Sequence, residues 1–148
     1  MRLLTGIVLL SLLTGASAAA APPALSDADK AAAFKAAGFT LKGGQWVRCE
    51  DDVTESKQTG SLEVADLNGD GAPEAWIRES STFCYGNTAE AFVLLTRRPA
   101  GWAVILDEVG MAAELGAKTH GWPDIEVGGP GFDAMPVFRF NGDRYVRR

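Results

Sequence analysis

Glycine-bearing turn sequences cut this chain of 148 residues into apolar runs too short for helices. Gly43-Gly44 separates Phe39–Lys42 from Gln45–Cys49, and Arg98-Pro99-Ala100-Gly101 separates Ala91–Thr96 from Trp102–Leu106. Asn141-Gly142-Asp143 separates Val137–Phe140 from Arg144–Arg147. Such turn residues reverse a chain without splaying the strands on either side, so each set predicts a hairpin. Glu74–Ser80 and Asp124–Val127 read as further strands. Ser81–Asn87 reads as a loop held by its cysteine, and Gly128-Gly129-Pro130-Gly131 as a loop that cannot continue a sheet. One helix is signalled: Ser26 stands as its cap with Asp29 three residues on, and Gly38 supplies the stop. Met111–Ala117 favours a short helix by residue type, limited to a turn or two by Gly110 and Gly116. The fold class expected is α+β and β-rich, mainly antiparallel sheet of short hairpins with one amino-terminal helix.

The stretch Val64–Arg78 carries the chemistry. Asp66, Asn68 and Asp70 alternate along it, Gly71 follows, and Glu74 stands three residues later, a D-x-N-x-D-G-x-x-E pattern. Calcium takes six to eight oxygen ligands at roughly 2.3–2.6 Å, and alternate side chains of a curled loop point to one centre. Asp66, Asn68, Asp70 and Glu74 are therefore the candidate side-chain ligands, with Ala72 offering its backbone carbonyl. An EF-hand needs a bidentate glutamate at the twelfth position, which here is Ile77, so that loop is excluded. A plain hairpin turn would account for Asn68–Gly71 but not for Asp66 and Glu74. Asn141-Gly142-Asp143 is an internal comparison, the same tripeptide without surrounding carboxylates.

On those residues the loop resembles the FG-GAP, or integrin-propeller, type of calcium loop, in which a strand-loop-strand unit carries D-x-[DN]-x-D-G-x-x-D. Here the last ligand is Glu74 rather than aspartate, and the motif occurs once. Propellers repeat it in blade after blade, and a whole propeller exceeds this length. The resemblance implies bound Ca²⁺ as the cofactor. The order of Ala36-Ala37-Gly38-Phe39, Gly43-Gly44-Gln45-Trp46, the calcium-type loop, Thr82–Asn87 and Gly121–Phe132 is also similar to a group of small exported bacterial proteins. That likeness implies a compartment and a domain rather than an activity.

Residues 1–18 read as a secretory signal peptide: Arg2, an apolar run from Leu3 to Leu13, and Ala16-Ser17-Ala18 as the cleavage site. Residues 19–25 form an Ala/Pro linker, and 26–148 a single domain. Export predicts a periplasmic or secreted protein with no membrane insertion after cleavage. It also predicts that Cys49 and Cys84, the two cysteines, form one disulfide. The formal charge of −5 becomes −6 when Arg2 leaves with the signal peptide. That balance argues against nucleic acid and anionic lipid as partners. The acidic run Glu50-Asp51-Asp52 reads as a solvated loop, with a second metal or a basic partner as the alternative.

Other chemistry finds little support. His120, the single histidine, could be written as a triad with Asp124 and Ser81, but no nucleophile elbow accompanies it. Zinc lacks a second histidine or a close cysteine pair, and Gly128–Gly131 lacks the G-K-[ST] of a phosphate loop. Trp122, beside Pro123, is a possible ligand contact that could stack on a sugar or grip a peptide, or else a plug for the core. Trp46, Trp76 and Trp102 read as core. The expected function is a non-enzymatic, calcium-stabilised binding or structural module acting on a protein or glycan of the cell envelope. The alternative is a small acidic inhibitor of a cationic envelope hydrolase such as lysozyme.

Overall fold

The computed structural model describes residues 24–54, 57–129 and 134–148. The expected signal peptide, most of the expected linker, and Pro130-Gly131 lie outside the described residues. The helix α1 spans Asp27–Ala36. It opens as the capping box requires: Asp29 N–H donates to Ser26 Oγ at 3.1 Å, and Ser26 Oγ donates to Asp29 Oδ2 at 2.8 Å. The strands β1 (Thr40–Lys42) and β2 (Gln45–Val47) then form the expected Gly43-Gly44 hairpin.

The remaining strands make two antiparallel sheets of four. The first, in the order β3-β4-β5-β6, comprises Gln58–Ala65, Glu74–Ser80, Glu90–Arg98 and Gly101–Val109. The second runs β10-β9-β8-β7, with β7 at Met111–Thr119, β8 at Trp122–Gly128, β9 at Val137–Phe140 and β10 at Tyr145–Arg147. This is the β-rich α+β class, with sheets built mainly from hairpins.

Both faces of the first sheet are covered. Trp76, Phe92, Leu94 and Leu106 pack against Trp122, Ile125, Val127, Phe138, Phe140 and Tyr145 of the second sheet. Ala75, Ile77, Val93 and Leu95 point the other way, into a second core with Ala33, Phe34, Ala37 and Phe39. Phe34 stacks on Trp46 there, ring centroids 5.0 Å apart. The layers are therefore helix with hairpin, sheet, and sheet. Burial on both sides explains the unbroken apolar stretches Ala75-Trp76-Ile77 in β4 and Ala91–Leu95 in β5.

One residue, Gly110, joins β6 to β7 and so passes the chain from one sheet to the other. Its φ of +143° and the space around it both demand glycine: a Cβ would sit 2.8 Å from the Gly128 carbonyl oxygen. Its N–H donates to the Glu90 carbonyl at 2.9 Å.

Three local expectations are corrected. Met111–Ala117 is strand, not a helical turn, because Met111–Glu114 pairs residue by residue with Ile125–Gly128. The pairing supplies every second backbone group with a partner, which outweighs helix propensity of a few tenths of a kcal/mol per residue. Gly116 falls where the register slips between Glu114 and Lys118. Ser81–Asn87 is not open loop: Thr82–Tyr85 forms the short helix α2, followed by a 3-10 turn at Gly86–Thr88. Asp52, placed in a solvated run by its neighbours, is only 5% exposed because Ser81 Oγ donates to its carboxylate at 2.7 Å.

Candidate metal centre

The loop Asp66–Pro73 joins β3 to β4, neighbours in register from Leu62↔Ile77 to Ala65↔Glu74. Leu67 anchors it by burying its side chain in the core between the sheets. Gly71, at φ +83°, takes the backbone through the left-handed region that side-chain-bearing residues resist. The loop curls around Asp66, whose Oδ1 accepts from Gly69 N–H at 2.8 Å and Asp70 N–H at 3.1 Å. Its Oδ2 accepts from Gly71 N–H at 3.0 Å. Asn68 Oδ1 accepts from Asp70 N–H at 2.9 Å, and Asn68 Nδ2 donates to Asp70 Oδ2 at 2.8 Å. Ala72, named for its carbonyl, donates its N–H to Asp70 Oδ1 at 2.7 Å.

Asp66, Asn68 and Asp70 are thus brought into one hydrogen-bonded group. Glu74 makes its hydrogen bonds elsewhere. Its Oε2 accepts from Leu67 N–H and its Oε1 from Thr96 Oγ1, each at 2.9 Å. Among the described residues, no three His, Cys, Asp or Glu side chains gather closely enough to hold an ion as they stand. Acceptor capacity is left over, however, since a carboxylate has roughly four lone-pair sites. Hydrogen bonds occupy two at Glu74 and two at Asp70.

The charge balance of the loop is one-sided. Among the described residues, no lysine or arginine forms an ion pair with Asp66, Asp70 or Glu74. Glu74 is completely buried. Burial first, and then the nearby Asp70 and Asp66 charges, push its carboxyl up to about 7, against the lowering effect of Leu67 N–H and Thr96. The comparison loop behaves differently: Asp143 pairs with Arg98 at 2.8 Å, and Asn141 Oδ1 caps its turn by accepting from Asp143 and Arg144 N–H groups. The same Asn-Gly-Asp tripeptide therefore has a cationic partner in one hairpin and, among the described residues, none in the other.

Trp122 takes the core role. It is 8% exposed, stacked on Phe140 at 4.5 Å and edge-on to Tyr145 at 6.3 Å, within the core between the two sheets. Trp76 is buried in the same core, and Trp46 and Trp102 pack partly buried against the other. His120 is exposed in the β7–β8 turn. Asp124 accepts from Thr119 at 2.6 Å and Arg139 at 3.0 Å, while Ser81 donates to Asp52.

The disulfide joins Cys49 to Cys84, with Cα atoms 6.1 Å apart. A closed loop of this length stabilises a chain by roughly 3–4 kcal/mol in the chain-entropy account. Two buried carboxylates beside it escaped sequence reasoning. Glu79, 2% exposed, accepts from Arg48 N–H and Cys49 N–H, both at 2.9 Å, and from the Tyr85 hydroxyl at 2.6 Å. Asp52 accepts from Ser81 and from Thr54 N–H. Thr96, opposite Glu74 in the β4–β5 register, was missed for the same reason: nothing local marks a side chain whose partner arrives from another strand.

No protein-family model, no curated protein and no solved structure matches the chain. Its functional reading therefore rests on its own residues.

Proposed function

We propose that the chain is an exported, non-enzymatic binding or structural module whose β3–β4 loop takes up Ca²⁺. The observation that carries this is Glu74: a fully buried carboxylate beside two further acids, with no cationic side chain paired to any of them among the described residues. A divalent ion would supply the missing positive charge. Asp66, Asn68, Asp70 and Glu74 would hold it through side-chain oxygens and Ala72 through its carbonyl, with Glu74 exchanging a present partner for the ion. The spacing, the left-handed Gly71 and the spare acceptor capacity support that assignment. The Cys49–Cys84 disulfide and the amino-terminal leader pattern support an oxidising compartment, periplasmic or extracellular.

At a Kd near 10⁻⁴ M, usual for extracellular modules, ~1 mM calcium would stabilise the fold by about 1.4 kcal/mol. This is structural reinforcement rather than signalling. Calorimetric titration of the oxidised protein with CaCl₂ is the test, with Asp70→Ala alongside. One-site binding lost in the variant supports the proposal. Absence of binding at millimolar calcium, or equal binding by the variant, overturns it.

A further inference from the structure

The two sulfurs of the disulfide sit in unlike surroundings. Cys49 is 4% exposed, and Ser81 Oγ lies 3.3 Å from its Sγ. The buried Glu79 and Asp52 carboxylates lie close by, Glu79 accepting from the Cys49 N–H and Asp52 from Ser81 Oγ. Cys84 is exposed on α2, next to Phe83, an apolar side chain left 65% exposed. A thiolate displaces one sulfur of a disulfide from the other in line, so it must approach from behind the sulfur it attacks. Cys49 is closed in by packed side chains, with two carboxylates nearby that oppose an incoming anion. The Cys84 sulfur belongs to an exposed residue.

We propose that Cys84 is an S-thiolation site, the sulfur at which a small thiol enters this disulfide. In the step, the incoming thiolate bonds to Cys84 Sγ, the Sγ–Sγ bond breaks, and its electron pair leaves with Cys49 Sγ, which takes a proton from solvent. The product is a mixed disulfide on Cys84 and a thiol on Cys49. No further oxidant is needed, because the mixed disulfide keeps the oxidation level of the original bond.

The opened site stays in place through bonds that do not involve sulfur. Glu79 still accepts from Cys49 N–H, and Lys57 Nζ still donates to the Cys49 carbonyl. Ser81 Oγ still accepts from Cys84 N–H at 3.0 Å while donating to Asp52. The Tyr85 hydroxyl still ties α2 to Glu79. On these bonds the thiolated protein is expected to stay folded, which the urea dependence of the exchange tests.

The test uses the full folded, oxidised protein and reduced glutathione at neutral pH. Samples are acid-quenched, blocked with a maleimide and mapped by peptide mass spectrometry. Glutathione on Cys84 with maleimide on Cys49, favoured by about tenfold or more over the reverse, is the expected result. The exchange rate should also stay flat in urea below the unfolding transition. Glutathione on Cys49, an even split, or no exchange in the folded protein overturns the assignment. So does a rate that climbs with urea in parallel with global unfolding, since attack would then require the unfolded chain.

Discussion

Thr96 Oγ1 donates a 2.9 Å hydrogen bond to Glu74 Oε1, and the two residues are direct register partners on adjacent strands. The bond sits in the interior, with Glu74 fully buried and Thr96 8% exposed. Thr96→Val keeps the shape and removes the donor. A hydrogen bond to a charged group is worth about 1.5–3 kcal/mol, and an unsatisfied buried carboxylate oxygen adds to the loss. Urea unfolding at pH 8 should show a deficit of that order for Thr96→Val, with Thr96→Ser close to wild type. Equal stability of all three would mean that water replaces the hydroxyl.

The raised Glu74 carboxyl sets a pH dependence of definite sign. Its ordinary value is 4.5 and its folded value about 7, so between these the folded protein binds more protons than the unfolded chain. The stability tied to the neutral form is fully present below pH 4.5 and is lost as pH rises through 7, by an amount on the order of 3 kcal/mol. In calcium-free buffer, Glu74→Gln should gain on wild type as pH goes from 5 to 8, measured as the difference in urea midpoint. Calcium acts in the opposite sense because it binds the deprotonated carboxylate, so its stabilising effect should fade toward pH 5. A difference between variant and wild type that is constant with pH would place Glu74 at an ordinary carboxylate value.

Trp122→Ala separates a core role from a ligand-binding one. The side chain stacks on Phe140 and meets Tyr145, so truncation should cost about 3–5 kcal/mol in urea unfolding. Calcium titration of the folded variant should match wild type, because Trp122 stands in β8 and the loop joins β3 to β4. A loss below 1 kcal/mol would show that the site repacks.

Gly110→Ala tests the crossing between sheets. The added methyl would meet the Gly128 carbonyl oxygen at 2.8 Å while the backbone holds φ +143°. Both effects oppose folding, and the loss should exceed about 1 kcal/mol. Thermal unfolding is the measurement, and a variant as stable as wild type would mean that β6 and β7 part at this corner without penalty.

Much of the local structure was legible in residue order because its causes lie within a few residues of one another. Ser26 and Asp29 close their own cap, Gly43-Gly44 and Asn141-Gly142 turn their own hairpins, and Gly71 admits the loop's left-handed step. Cys49 and Cys84 could be paired because there were two of them in a chain whose leader pattern predicts export. The curled group of Asp66, Asn68 and Asp70 follows from their alternation.

Tertiary structure alone decided the rest. Met111–Thr119 is strand because β8 lies beside it, and its own residues carry no such instruction. Asp52 and Glu79 are buried because Ser81, Tyr85 and two backbone amides come to meet them. Trp122 became core when Phe140 closed over it, and Glu74 turned inward because Thr96 stood opposite. Short-range geometry is written in neighbouring residues. Which side chains lose their water is settled only when distant segments meet.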